Sequence, residues 1–427
     1  MIAFAIGAMV LLLALGLPIA VGLGLVGMGL SEFFSPLPLT RAIGEVAWSS
    51  STGFLMVSIP LFVLLGEVLL RSGIADRMYA AVAAWFSWLP GGLMHANIGS
   101  CALFASMCGS SVATAATVGT TAMPQMGKYD YNPPLFLGTL AAGGTLGILI
   151  PPSINLIVYG LITNTSIPKL YLAGIVPGLL LAAMFMGVVA LACTAWPSLG
   201  GQRVAVTWNE RLALLAEFLP PVFIFGVVIG SIYLGWATAT ESAALGVAAA
   251  VILTMARGRF TIAMFMTAVE NTMKTTGMIM LIVLAAFFLN FVMTAVGLTT
   301  AIVNLVTAYD LPPLGLMLAV IVFYLILGAF MDEMAMMIST VPIIAPVVFA
   351  AGFDGVWFGV ALVVLMQAGM ILPPVGINLF VIQGIRRNGR IGEIATGSMP
   401  FVLSMLLLLA LLVAFPGIAL FLPAALN

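Results

Sequence analysis

The chain has 427 residues, 63% of them hydrophobic and only 6% charged, with 13 basic against 14 acidic side chains and a formal net charge of −1. A soluble chain carries about 25% charged residues, so this composition describes a polytopic membrane protein set in a lipid bilayer and excludes a soluble enzyme or a nucleic-acid binder. His95 is the only histidine, which excludes a histidine-built metal centre, and Cys101, Cys108 and Cys193 lack paired spacing and read as small buried apolar residues.

At about 20 residues per span, the length allows roughly ten to twelve spans or equivalent re-entrant pieces. Residues 3–30 are predicted to form a retained first span, because no basic residue precedes Arg41 and a signal peptide carries a basic leader. Residues 31–52, with Glu32, Pro36, Pro38, Arg41 and Glu45, are amphipathic and interfacial. Residues 56–70 form the next apolar run and contain Glu67, four positions before Arg71, the spacing of a structural helical ion pair. Residues 78–89 follow and end at Pro90-Gly91-Gly92.

Residues 94–126 are apolar but crowded with Ser106, Gly109, Ser110, Ser111, Thr114, Thr117, Thr120 and Thr121. Gly109-Ser110-Ser111 divides this stretch into pieces of about 15 residues, too short to span separately, so a re-entrant helical hairpin with its tip at the triplet is predicted. The competing arrangement is one Ser/Thr-rich helix packed closely on its neighbours. Residues 135–163 come next and are interrupted at Pro151-Pro152. A span over 169–196, a polar connection over 197–211, spans over 213–234 and 237–255, a long run over 260–291 and a shorter one over 294–308 complete the middle of the chain.

The opening pattern then returns. Gly147-Ile148-Leu149-Ile150-Pro151-Pro152 followed by Ile154-Asn155-Leu156 reappears as Gly369-Met370-Ile371-Leu372-Pro373-Pro374 followed by Ile377-Asn378-Leu379, 222 positions on, with Gly376 inserted. Pro124 and Pro346 each lie 27 residues before their Pro-Pro pair. The run 312–351 is interrupted at Met331-Asp332-Glu333-Met334, and the same offset carries Ser110 and Ser111 onto Asp332 and Glu333. Residues 356–385 form the second broken segment, and 394–422 the last span. Two adjacent prolines remove two backbone donors and clash with the preceding turn, and a break at membrane depth is tolerated only where protein or a water-filled cavity meets the freed groups. Matching breaks in two halves of a membrane protein point to a transporter's binding site.

Charge placement sets the expected orientation. Lys128 lies at the base of the first hairpin, whereas Arg386, Arg387 and Arg390 follow the second broken segment. Positive residues mark the cytoplasmic side, so the two copies are predicted to be inverted repeats.

A carboxylate at mid-membrane costs about 2.5 to 3.5 kcal/mol on insertion scales, and the run 312–351 contains no Lys or Arg. An arginine elsewhere, a proton or a bound cation is then expected to neutralise Asp332, unless Asp332 and Glu333 are ordinary charges in a wet crevice. Sodium fits a break rich in free carbonyls, because hard cations take oxygen ligands. The carbonyl ends of the half-helices, around Gly147–Ile150 and Gly369–Leu372, suit a cation and the amide ends an anion. Ser153, Asn155 and Asn378 open the downstream half-helices and either hydrogen-bond a ligand or cap and pack. No His-Glu-x-x-His, Gly-x-Ser-x-Gly or Walker-type loop is present, so the rivals to a carrier are an ion channel and an intramembrane enzyme using Asp332.

Gly109-Ser110-Ser111-Val-Ala-Thr-Ala, Gly143-Gly144-Thr145-Leu146-Gly147 through Ser153, Tyr171-Leu-Ala-Gly-Ile-Val-Pro-Gly-Leu-Leu, and Pro373-Pro374-Val-Gly-Ile-Asn378 together resemble the large membrane subunit, DctM type, of the tripartite ATP-independent periplasmic (TRAP) transporters, from end to end of the chain. The resemblance implies an all-α sodium symporter of the bacterial inner membrane that imports a small organic anion by an elevator motion, with Na+ as coupling ion and no organic cofactor. It implies a small membrane subunit of Q type and a periplasmic substrate-binding protein of P type as partners. It further implies scaffold helices over 1–92 and 169–311, transport-domain halves over 93–168 (hairpin 93–127, broken helix 135–163) and 312–390 (hairpin 312–351, broken helix 356–385), and a C-terminal span over 391–427. Carried over by motif, one sodium site takes Ser106, Ser110, Gly147, Ile150 and Pro152, and a second takes Gly328, Asp332, Gly369, Leu372 and Val375. Leu372 stands where the family usually has Thr, which preserves a carbonyl ligand and removes a hydroxyl. Ser110, Ser111, Ser153, Asn155, Asp332 and Asn378 are the expected solute contacts.

Overall fold

The computed structural model describes residues 1–202, 204–308 and 312–426, and all regular secondary structure in them is helical. The junction expected after residue 311 and the terminal Asn427 lie outside the described residues.

The first span is two helices rather than one. α1 (Ile2–Ala14) and α2 (Ile19–Phe34) pack against each other across a turn in which Gly16 adopts φ 72° and Pro18 precedes α2. Pro18 has no N–H to continue the first ladder. After α3 (Ile43–Ser51) come α4 (Ser58–Arg71), α5 (Ile74–Phe86), α6 (Leu93–Cys108), α7 (Ser111–Lys128), α8 (Pro133–Thr145), α9 (Ile154–Thr163) and α10 (Ile167–Ala195). The short helices α11 (Trp208–Leu214), α12 (Leu219–Phe225) and α13 (Ser231–Tyr233) form one 26-residue rod, widened to a π turn over Gly226–Gly230.

α14 (Ala239–Ala256), α15 (Ile262–Ala295) and α16 (Leu298–Ala308) lead to α17 (Pro313–Gly328), α18 (Glu333–Ala350), α19 (Gly355–Met370) and α20 (Ile377–Arg386). The last span is likewise divided, into α21 (Ile391–Ala414) and α22 (Gly417–Ala425). Pro416 forbids helical backbone at Phe415, which sits at φ −132°, ψ 76°, and α22 turns back onto α10.

Among the described residues, seven helical runs are long and apolar enough to cross a membrane, and seven further apolar helices are too short. Of those short ones, all but α2 belong to the two presumed hairpins and the two broken segments. Two sets of helices separate by packing. α2, α3 and α4 gather on the long α15, with α14 against α4. The broken segments lie at the centre of the other set, where every residue from Leu135 to Thr145 in α8 and from Val356 to Met370 in α19 is buried, as expected of helices apolar on all sides. α21 packs along α8 so closely that a Cβ on Gly138 would sit 2.1 Å from the Gly397 carbonyl oxygen. The C-terminal span is thus joined to this central set.

The two downstream half-helices are exchanged. α9 packs on α18, the second arm of the later helix pair, and α20 packs on α7, the second arm of the earlier one. At the crossing, Gln367 Nε2 donates to the Thr145 carbonyl at 3.0 Å, a partner 222 positions away.

Candidate functional site

The chain breaks where its backbone chemistry requires. Gly109 closes α6 in the left-handed region at φ 63°, and the Ser110 hydroxyl then caps α7 by accepting from the Ala113 amide at 3.4 Å, as serine does at a helix start. This tip is seated on the first broken segment. A Cβ on Gly109 would fall 2.5 Å from the Pro152 carbonyl oxygen, and one on Gly147 would fall 2.7 Å from the Ser110 carbonyl oxygen and 2.9 Å from the Thr114 hydroxyl. Ser110, Gly147 and Pro152 therefore come together with oxygens among the contacting atoms. Ser106 donates to the Leu103 carbonyl at 2.7 Å within α6, and the Ile150 side chain packs against Gly178 of α10.

The second helix pair turns over 329–332, and Asp332 caps α18, its Oδ2 accepting from the Met334 and Ala335 amides at 3.1 and 3.4 Å. The sequence left an arginine, a proton or a cation to compensate this carboxylate. The two amides and the positive end of α18 supply part of that compensation. Gly328 and Gly369 touch backbone to backbone, with a Cβ on Gly328 placed 2.7 Å from the Gly369 Cα. Leu372 and Val375 are half-buried on the open side of the second break.

A cavity of about 460 Å³ lies where these elements meet α4 and α15. Its wall is built from the first turns of three helices, carrying Ser110 of the α7 cap, Asn155 of α9, and Asp332 and Glu333 of α18. Glu67 of α4 also lines it. It pairs with Arg71 one turn on, as its spacing predicts, and also accepts from Asn271 of α15 at 3.2 Å.

Three expected solute contacts are placed elsewhere. Ser111, Ser153 and Asn378 are fully enclosed and are not among the residues facing this cavity. The Ser153 hydroxyl donates to the Ile148 carbonyl at 2.6 Å and accepts from the Leu156 amide, fastening both sides of the first break. Asn378 Nδ2 donates to the Ser111 hydroxyl at 2.8 Å and to the Ala141 carbonyl at 3.1 Å, tying α20 to α7 and α8.

Glu333 was not among the expected contacts. The repeat offset that carries Ser111 onto Glu333 was the available signal, since it puts an acid at the position where the first half has a hydroxyl in contact with an asparagine. Gln367, a polar residue inside an otherwise apolar run, was also passed over.

Two helix-break-helix pairs and two broken helices, interleaved around a polar cavity in an all-helical membrane protein, define a multi-pass transporter. The chain belongs to the TRAP large-permease family: the model for "Tripartite ATP-independent periplasmic transporter, DctM component" matches residues 6–418. A C4-dicarboxylate TRAP transporter large permease protein of Pseudomonas aeruginosa is 33% identical over 402 residues, 94% of this chain and 93% of its own length. An isethionate TRAP transporter permease protein of Oleidesulfovibrio alaskensis is 31% identical over 428 residues, 97% of this chain, and the chain spans 65% of that protein. The YdaH transporter of Alcanivorax borkumensis shares the fold, with a TM-score of 0.64 at 16% identity over 89% of this chain and 90% of its own. The protein is thus a multi-pass inner-membrane transporter permease and not an enzyme.

Proposed function

We propose that this chain is the solute-moving subunit of a sodium-driven importer of small organic anions, working with a small membrane subunit and a periplasmic binding protein. The observation that carries this reading is the convergence of three helix N-termini, α7, α9 and α18, on one cavity beside the oxygen-rich contact of Ser110 with Gly147 and Pro152. Amide ends attract an anionic group and carbonyl oxygens attract a cation, so both partners of a symport have matching surfaces within one site. Sodium is assigned first to Ser106, Ser110, Gly147, Ile150 and Pro152, and a second ion to Gly328, Asp332, Gly369, Leu372 and Val375.

The two halves are read as inverted repeats. A contact between Thr145 and Gln367, residues separated by the repeat offset, is what a twofold axis through the crossing would give. The reciprocal packing of α9 on α18 and α20 on α7 supports the same relation. In the elevator reading, the hairpins and broken helices move as one body, with α21 attached, against a scaffold of α2–α4, α14 and α15, and the cavity lies along the sliding surface. Relatives are named for a C4-dicarboxylate, isethionate, ectoine and sialic acid, each a small solute with an anionic group, which favours an organic acid.

The deciding experiment is uptake into proteoliposomes holding the complete membrane complex, with the cognate binding protein outside and a sodium gradient imposed. Uptake that follows the gradient, and that Ser110→Ala and Asp332→Ala each cut by about tenfold or more while the protein still inserts, is the expected result. Uptake indifferent to sodium, or untouched by both substitutions, would remove these residues from the coupling site.

A further inference from the structure

The cavity contains a donor and an acceptor that the fold leaves unused. Among the described residues, Asn155 is 1% exposed and its Nδ2 has no hydrogen-bond partner, and Glu333 is 6% exposed with its Oε2 likewise unpartnered. Both line the same space. Asn155 of α9 and Glu333 of α18 correspond through the sequence repeat to Asn378 of α20 and Ser111 of α7, and in that pair the amide donates to the hydroxyl at 2.8 Å. One pairing between the halves is a closed strut where the other is an open pair containing a carboxylate.

Charge decides what fits between them. Among the described residues, no Lys, Arg or His lines the cavity. The Glu67 carboxylate is occupied by Arg71 and Asn271, and that of Asp332 by two amides. Glu333 lines the cavity with its Oε2 enclosed and unpartnered, and a buried carboxylate oxygen is costly unless a cationic or N–H group reaches it. Asn155 Nδ2 and the amide ends of α7 and α9 offer the opposite polarity nearby.

We propose that Glu333 and Asn155 form a specificity subsite for the cationic end of a zwitterionic solute, an ammonium group carried beside a carboxylate or sulfonate. The anionic end faces the Asn155 amide and the N-termini of α7 and α9, and the ammonium group donates to Glu333. This rests on the transport reading above and narrows its solute from a simple organic anion to an organic acid that also carries an ammonium group. The site is specific to an acid at residue 333, because a hydroxyl or an alanine there would leave an ammonium group without a charged acceptor.

The test uses two matched ligand pairs that differ chiefly in that one group: taurine against isethionate, and 4-aminobutyrate against succinate. Binding to the purified full-length chain is measured calorimetrically, in sodium chloride and in choline chloride. In sodium, each zwitterion is expected to bind about tenfold or more tighter than its anionic counterpart, the range of one charge-assisted hydrogen bond. Glu333→Gln should abolish that preference. Equal or weaker binding of both zwitterions, failure of all four ligands to bind, or a preference that survives Glu333→Gln overturns the proposal. The wild-type comparison stands by itself if the variant does not fold. Loss of the sodium requirement with the charge preference intact would instead count against the coupling reading and leave the subsite standing.

Discussion

The two Pro-Pro breaks share a motif and differ in almost everything around it. At the first, residues 151–160 are buried without exception. The Gly109 tip rests on the Pro152 carbonyl, and the Ser153 hydroxyl bridges the gap from Ile148 to Leu156. At the second, Pro373 and Pro374 are exposed, Gly376 enters α20 at φ 47°, and no side chain caps that helix. Backbone freed at membrane depth cannot face hydrocarbon. The first break is therefore satisfied inside the chain, whereas the second must meet water, an ion or another protein surface. The same motif thus occurs at two openings, one closed within the chain and the other left open.

The largest effect is expected where the closed break is wedged apart. Gly109→Val puts a branched residue at φ 63°, costing about 1–2 kcal/mol for left-handed backbone, and drives its Cβ into the Pro152 carbonyl, adding about 1–3 kcal/mol of overpacking. Uptake should be lost and the thermal transition of the purified protein lowered. Met331, at the corresponding point of the second tip, is half-buried, and Met331→Val should cost about 1 kcal/mol or less. Equal damage from both would mean that the tips are equivalent and that the contrast drawn above is wrong.

The asparagines sharpen the comparison. Asn378→Ala removes two hydrogen bonds between the halves, and leaving the buried Ser111 hydroxyl without that partner should cost about 1–3 kcal/mol of stability, read as a fall in melting temperature. Asn155 makes no bond through Nδ2. Asn155→Ala should therefore leave melting within about 1 kcal/mol of the wild type while weakening solute uptake by about tenfold. A stability loss matching that of Asn378→Ala would show that Asn155 is a strut after all.

Gln367→Met comes next. It deletes the bond to Thr145 at the crossing of the broken helices while keeping side-chain length, so the expected cost is about 1–2 kcal/mol. The counterweight is the Gln367 Oε1, which lacks a partner in the wild type and whose removal is favourable. A variant as stable as the wild type would mean that packing alone holds the crossing.

Proline and glycine made most of the architecture legible in the sequence, because they act on the backbone wherever they stand. Pro151-Pro152, Pro373-Pro374 and Gly109 marked breaks that the structure has at those residues. Gly16 with Pro18, and Pro416, acted in the same way, but each lay within an apolar run long enough for a single span, and length was given more weight than the breaker. The site was less legible, since a sequence shows which groups a break frees and not what meets them. Ser153 and Asn378 carry the same hydrogen-bonding groups as Ser110 and Asn155, yet the first two are used up inside the fold. Asp332 looked uncompensated because the amides of its own helix are invisible until that helix is known to begin at residue 333. Glu333 was visible only as a partner of Ser111 through the repeat offset, and its meaning depended on Asn378 being bonded to Ser111.

The smallest effect is expected at Leu372, on the open break. Its side chain is half-buried, so Leu372→Thr exchanges little apolar contact, about 1 kcal/mol at most for the methylene lost. The group assigned to sodium here is the carbonyl, which the substitution leaves in place. The half-saturating sodium concentration for uptake should then move by about threefold or less. A threonine hydroxyl entering the ion's shell would instead add an oxygen ligand and tighten binding by about tenfold. Sodium titration of the variant separates the two cases. A small shift means that the exposed break coordinates through backbone alone, and a tenfold tightening means that the break this fold leaves open has room for a side-chain ligand beside its carbonyls.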